Sequence, residues 1–168
     1  MSTAESISEV GWGQLKAKRP DLADAGREML YQYGLGLAFL ATVRSDGGPR
    51  LHPISPMLTE EGLYAFIVPS PKCDDLLRDG RFALHSYAKD NNEDAFYITG
   101  SAVSVSDTLL RQKLEEQYRS ERPALNLEAL EISSQDLFEL QIDTVLVTRT
   151  DAHGDPNPRH TIWHAALS

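Results

Sequence analysis

The stretch "GLYAFIVPSPKCDDLLRDGRFALHSY", residues 62–87, decides how the rest of the chain reads. Leu63–Val68 is a short run, apolar on both faces, that follows the turn "TEEG" and predicts a strand. Ser70 then reads as an N-cap and Pro71 as the first helical residue, because proline lacks the N–H that a first turn leaves unpaired. Lys72 falls in that first turn, where the helix dipole is positive and disfavours a cation by roughly 0.3–1 kcal/mol. Asp74 and Asp75 offset it locally. A hydroxyl, a lysine and free backbone N–H groups at one helix start also make a seat for a phosphate. Arg81–Ala88 then returns to a strand.

Upstream, "GLAFLATV" (Gly36–Val43) predicts a strand and "RSDGGP" a turn. "RLHPISPML" (Arg50–Leu58) resumes an extended run, though Pro53 and Pro56 suit a central antiparallel strand poorly. Together with Leu63–Val68 these segments predict a meander with short turns. Before them, Leu22, Ala25, Met29, Leu30 and Tyr33 recur at helical spacing, with Asp21 as the expected N-cap and Gly34 as the stop. Residues 1–20 are polar and mixed, and read as an N-terminal arm to a single domain spanning 21–168.

Downstream, "KDNNED" reads as a polar loop and Ala95–Val105 as a strand interrupted by Gly100, which marks a bulge or a close backbone approach. Asp107 is placed to cap an amphipathic helix running to Ser120, with Leu110, Leu114 and Tyr118 on one face. "LNLEALEI" predicts a further short helix. In Leu137–Thr150, Phe138, Leu140 and Ile142 alternate with Glu139, Gln141 and Asp143 before the run turns apolar on both faces. The tail is a turn-rich loop with a short extended end. Hairpin-linked strands with a late helix predict a small antiparallel barrel with peripheral helices.

Composition narrows the function. The 168 residues hold 16 Lys and Arg against 25 Asp and Glu, a formal net charge of −9. That opposes binding of nucleic acid or an anionic membrane, both of which need clustered cations. A small anion needs only two or three. One cysteine, Cys73, excludes an intrachain disulfide and a cysteine-based zinc site, and fits packing better than redox chemistry. No apolar run reaches the ~18 residues of a membrane span and the first residues lack a secretory apolar core, so the cytoplasm is expected. His85, His153, His160 and His164 lack tight metal-ligand spacing, so no metal site is expected. There is no G-x-S-x-G, P-loop or dinucleotide fingerprint.

The succession "GLAFLATVRSDGGPRLHPISPML", "GLYAFIVPSPKCDDLLRDGRFALHSY" and "AFYITGSAVSV" followed by a helix resembles the pyridoxamine 5'-phosphate oxidase-like, FMN-binding split-barrel family. The resemblance covers roughly residues 35–120, with weaker matches at Phe138–Val147 and "TIWH". It implies a mainly β fold, a six-stranded antiparallel split β-barrel with flanking helices. It also implies a homodimer holding two flavins between subunits, with no nucleic-acid or membrane partner.

Carried over, the phosphate-holding segment is Ser70 and Lys72, and the second-strand contacts are Arg50 and His52. Pro53, Ile54 and Ser55 would run beside the flavin ring, Ile67 and Val68 would supply the contacts from the third strand, and Trp163 would lie near the flavin at the interface. Where the oxidase itself has an arginine and a lysine, this chain has His52 and Met57, which argues against true pyridoxamine 5'-phosphate oxidase activity. The oxidase's substrate-gripping C-terminus is only loosely echoed by Arg159, His160, Trp163 and His164. The implied function is an FMN-dependent oxidoreductase of unassigned catalytic residues. A non-catalytic flavin or haem carrier or sensor on the same barrel, or an F420-dependent reductase, are the alternatives.

Overall fold

The computed structural model describes residues 11–123 and 132–165. Helices α1 (Trp12–Lys18) and α2 (Pro20–Leu30) precede strands β1 (Ala38–Val43), β2 (Pro49–Ile54), β3 (Met57–Leu58) and β4 (Leu63–Ile67). Then follow α3 (Pro71–Arg78), β5 (Arg81–Ser86), β6 (Ala95–Ser104), α4 (Thr108–Ser120), a 3-10 turn at Ile132–Ser134, β7 (Asp136–Arg149) and β8 (Arg159–His164). All pairings are antiparallel, in the order β2-β1-β5-β6-β7-β4-β3, with β8 added to the second half of β7. The fold is mainly β, an antiparallel sheet curled into a half-barrel with flanking helices, as expected.

The curl has a covalent cause. The expected second strand breaks at Ser55–Pro56, so β2 pairs with β1 while β3 pairs with β4. Those two halves lie at opposite ends of the strand order yet adjoin in the chain. Since each residue spans at most ~3.6 Å, the two sheet ends must be drawn together. Counted as one broken stave, β2 and β3 give the expected six; counted separately, with β8, the sheet has eight strands. Pro56 accounts for the break, since it has no N–H to donate to a ladder, whereas Pro53 is accommodated within β2, an edge strand.

Burial on both faces of β4 accounts for its apolar sequence. Leu63, Ala65 and Ile67 enter the main core with Leu40, Leu84 and Ile98. Tyr64 and Phe66 face the other way, into a second cluster with Leu114 that Leu110 and Tyr118 of α4 cover. Asp107 caps α4 by accepting from Leu110 N at 3.0 Å. Gly100 does both things expected of it: the β6–β7 register shifts between Thr99 and Gly100, and a Cβ there would lie 1.7 Å from Gln141 O. The shift also explains β7, whose core-facing residues pass from Phe138, Leu140 and Ile142 to Val145 and Val147.

Residues 11–20 depart from the expected arm. Trp12 is 1% exposed and meets Phe96 edge-on at 6.0 Å, and Leu15 is fully buried. A seven-residue helix carrying two apolar anchors gives too weak a periodicity to stand out among lysines. Helix α2 starts at Pro20, with Arg19 rather than Asp21 at its cap; Asp21 sits in the first turn and pairs with Arg19 at 2.7 Å. The helix expected at "LNLEALEI" falls outside the described residues, apart from Ile132. No described helix is long and apolar enough to cross a membrane.

Candidate functional site

Alternation along β2 points Arg50, His52 and Ile54 to the inner face and leaves Leu51 and Pro53 exposed. Ile54 reaches the main core; Arg50 does not get that far. Its Nε donates to Asp75 Oδ2 at 2.7 Å, and the same oxygen accepts from Thr42 Oγ1 on β1 at 2.8 Å. Arg78 Nη2 reaches the other carboxylate oxygen at 3.3 Å. Asp75 is 3% exposed. Burial opposes its ionisation, but the hydrogen bonds from Arg50, Thr42 and Arg78 outweigh it and hold the carboxyl below the ordinary carboxylate range. This knot fixes α3 against β1 and β2. The Arg50 terminal Nη atoms make no hydrogen bond among the described residues.

Lys72 precedes Asp75 by three positions, so both share one flank of α3. It is half-buried and has neither a hydrogen bond nor an ion pair among the described residues. Pro71 occupies the first helical position as expected. Ser70 holds the N-cap position with an extended backbone, but its hydroxyl donates back to Val68 O at 2.8 Å and caps nothing. The first-turn N–H groups of Lys72 and Cys73 therefore have no side-chain cap. His52, two residues from Arg50 on the same face, likewise has no hydrogen-bond partner among the described residues.

The other expected site residues lie elsewhere. Ile67 and Trp163 are in the main core, Trp163 opposite Val145 on β8. Ser55 donates to Gly36 O at 2.6 Å and accepts from the buried Arg122, which also stacks 3.7 Å above the Tyr118 ring. Val68 is 44% exposed at the end of β4. Pro53 sits opposite Phe39 on the outer face. Arg50 is thus tied to α3 through Asp75, one turn from Lys72, and shares the inner face of β2 with His52 and Ile54, while the other expected residues lie apart. Asp75, expected only to offset Lys72 at the helix start, instead organises the edge between β2 and α3, through partners on strands 25 and 33 residues away that local sequence does not show.

Cys73 is no nucleophile. Burial, and then the hydrogen bond and charge of Asp136 at 3.1 Å, push its thiol up to about 12, so it stays protonated near neutrality. Among the described residues no group of three or more His, Cys, Asp or Glu could hold a metal ion.

The outer face of the sheet is exposed and partly apolar. Leu51 is 65% exposed, Ile162 58% and Phe39 37%, the last stacked on Tyr87 at 4.5 Å. Thr144 and Thr148 Oγ1 meet His164 and His160 Nδ1 on the same face, at 3.2 and 2.9 Å.

No family model and no curated protein matches the chain. Solved structures do match. A Clostridium acetobutylicum protein related to general stress protein 26 of B. subtilis, of the pyridoxinephosphate oxidase family, aligns over 92% of this chain and 97% of its own at TM-score 0.57 and 10% identity. An FAD-binding protein from Mesorhizobium loti covers 71% of this chain and 88% of its own at TM-score 0.55 and 15% identity. A heme-binding protein from Mycobacterium smegmatis covers 82% of this chain and 57% of its own at TM-score 0.58 and 14% identity. The fold is that of the pyridoxamine 5'-phosphate oxidase-like split barrels.

Proposed function

We propose that the chain binds a phosphate-bearing flavin, FMN, along the edge between β2 and α3, and serves as a flavin-dependent oxidoreductase. The observation that carries this is Lys72. In a chain of net charge −9 it stands unpaired at an uncapped helix start, one turn from the carboxylate that holds Arg50. The residues fit a phosphate: an ammonium, two free guanidinium nitrogens and open first-turn N–H groups are all donors, and the anion would relieve the dipole penalty on Lys72.

A bound flavin would supply electron or hydride transfer at its ring; the chain's own residues would anchor and orient it. Lys72 and Arg50 would hold the phosphate, and Asp75 would keep the Arg50 fork turned outward. With His52 and Met57 in place of cations, pyridoxamine 5'-phosphate should be a poor substrate, turned over well below about 1 s⁻¹.

We further infer a two-fold homodimer, for which the exposed Phe39, Leu51 and Ile162 supply apolar surface on one continuous sheet face. Sedimentation should give a dimer at micromolar concentration, and a monomer there would argue strongly against a site between subunits.

The deciding experiment titrates FMN, riboflavin, F420 and haem separately into the purified protein and follows visible absorption. Saturable binding of FMN, tighter than that of riboflavin, is the expected result. Preference for F420 or a Soret band with haem would replace FMN with that ligand, and equal affinity for FMN and riboflavin would remove the phosphate site. Turnover with a reduced nicotinamide distinguishes an enzyme from a carrier.

A further inference from the structure

Pairing of cations is nearly complete in this chain. Of its 16 Lys and Arg residues, all in the described segments, only Arg27, Lys72 and Lys113 have neither a side-chain hydrogen bond nor an ion pair among the described residues. With 25 acidic residues available, an unpaired cation is the exception here. Two of the three, Arg27 on α2 and Lys113 on α4, come from segments 86 positions apart and line the same cleft of about 320 Å³, away from β2 and α3.

The floor of that cleft adds a second, independent observation. Tyr64 of β4 is 94% buried, since 6% of it is exposed, and it lines the cleft. Its hydroxyl has no hydrogen-bond partner among the described residues, yet none of their buried polar side-chain atoms is left unsatisfied, so the hydroxyl opens on the cleft. Burial, with Glu139 and Glu61 nearby, pushes this phenol above its ordinary value, which keeps it a donor. Leu58 and Leu110 give the cleft an apolar wall.

Two glutamates also line it. Glu60 is engaged by Lys16, so among the residues that line the cleft Glu61 alone stands against Arg27 and Lys113, an excess of one positive charge; Glu139, which acts on the Tyr64 phenol, does not line it. Arg27 feels Glu60 only at longer range. A single excess charge suits a monoanion better than a phosphate dianion, and a planar guanidinium matches a carboxylate fork. The volume lies at the lower end of small-ligand sites.

We propose that the cleft between α2, the β3–β4 turn and α4 binds a small monocarboxylate with an apolar body, its carboxylate held by Arg27, Lys113 and the Tyr64 hydroxyl. The site is separate from the flavin edge, and its occupancy does not depend on flavin.

The test records amide and side-chain NMR shifts of the full chain on titration with benzoate, hexanoate, benzamide and inorganic phosphate. Benzoate or hexanoate should give saturable shifts centred on Arg27, Tyr64 and Lys113, while benzamide and phosphate should not. Tyr64→Phe, which removes only the hydroxyl, should weaken the carboxylate about tenfold. The double variant Arg27→Gln/Lys113→Gln, exposed at both positions and so expected to fold, should abolish saturation. Absence of saturable shifts with both carboxylates overturns the proposal. So does benzamide matching benzoate, which would make the cleft merely apolar, or phosphate matching it, which would make it merely basic.

Discussion

Arg50 on the edge strand β2 donates from Nε to Asp75 on α3 over 2.7 Å; the acceptor side chain is 3% exposed and the donor 28%. The asymmetry matters for energetics. A buried carboxylate satisfied by three donors is costly to disturb, whereas the arginine can turn toward water or toward an anion.

Asp75→Ala should therefore destabilise the fold by about 2–4 kcal/mol in urea unfolding, since Thr42 and two arginines lose their acceptor. The difference from wild type should also depend on pH. The folded carboxyl is held below its unfolded value of 3.8, so its stabilisation is complete above that value and is lost as pH falls through the lower folded one. Unfolding curves at neutral pH and at stepwise lower pH should converge in acid. A constant gap across that window would show that Asp75 acts through packing rather than charge.

Lys72→Ala tests the flavin edge. Losing one charge-assisted contact to phosphate should cost roughly 1.5–3 kcal/mol, or about one to two orders of magnitude in FMN affinity. Riboflavin should bind both proteins equally. Melting of the flavin-free protein should barely change, because Lys72 has no hydrogen bond or ion pair to lose among the described residues. Equal losses for both flavins would mean that Lys72 shapes the pocket without touching the phosphate.

Gly100→Ala addresses the bulge. Its Cβ would meet the Gln141 carbonyl at 1.7 Å, a backbone atom that can move only if β6 and β7 separate. We expect at least about 3 kcal/mol of destabilisation, or failure to fold. A near-wild-type melting temperature would show that the two strands can shift register there.

Trp12→Ala reports on the first helix. Removing a side chain that is 1% exposed and packs on Phe96 should cost about 3–5 kcal/mol. A loss below about 1 kcal/mol would return residues 11–20 to the status of a detachable arm.

Local chemistry determined most of the elements. The two-faced apolar run Leu63–Val68, the proline-led helix after it, the interrupting Gly100 and the Asp107 cap each act through neighbours a few residues away, and each is where the residues alone place it. Binary pattern could not show that Pro56 separates one extended run into halves belonging to opposite ends of the sheet, because pairing partners are a long-range property. The same holds for the site. Lys72 at its helix start was legible, since a first-turn cation is anomalous by itself. That Ser70 turns its hydroxyl back to Val68, that Trp163 and Ile67 enter the core, and that Asp75 seizes Arg50 depended on the curl of the sheet. Side-chain direction at a barrel edge is set by what the fold brings opposite, and only tertiary structure supplies that neighbour.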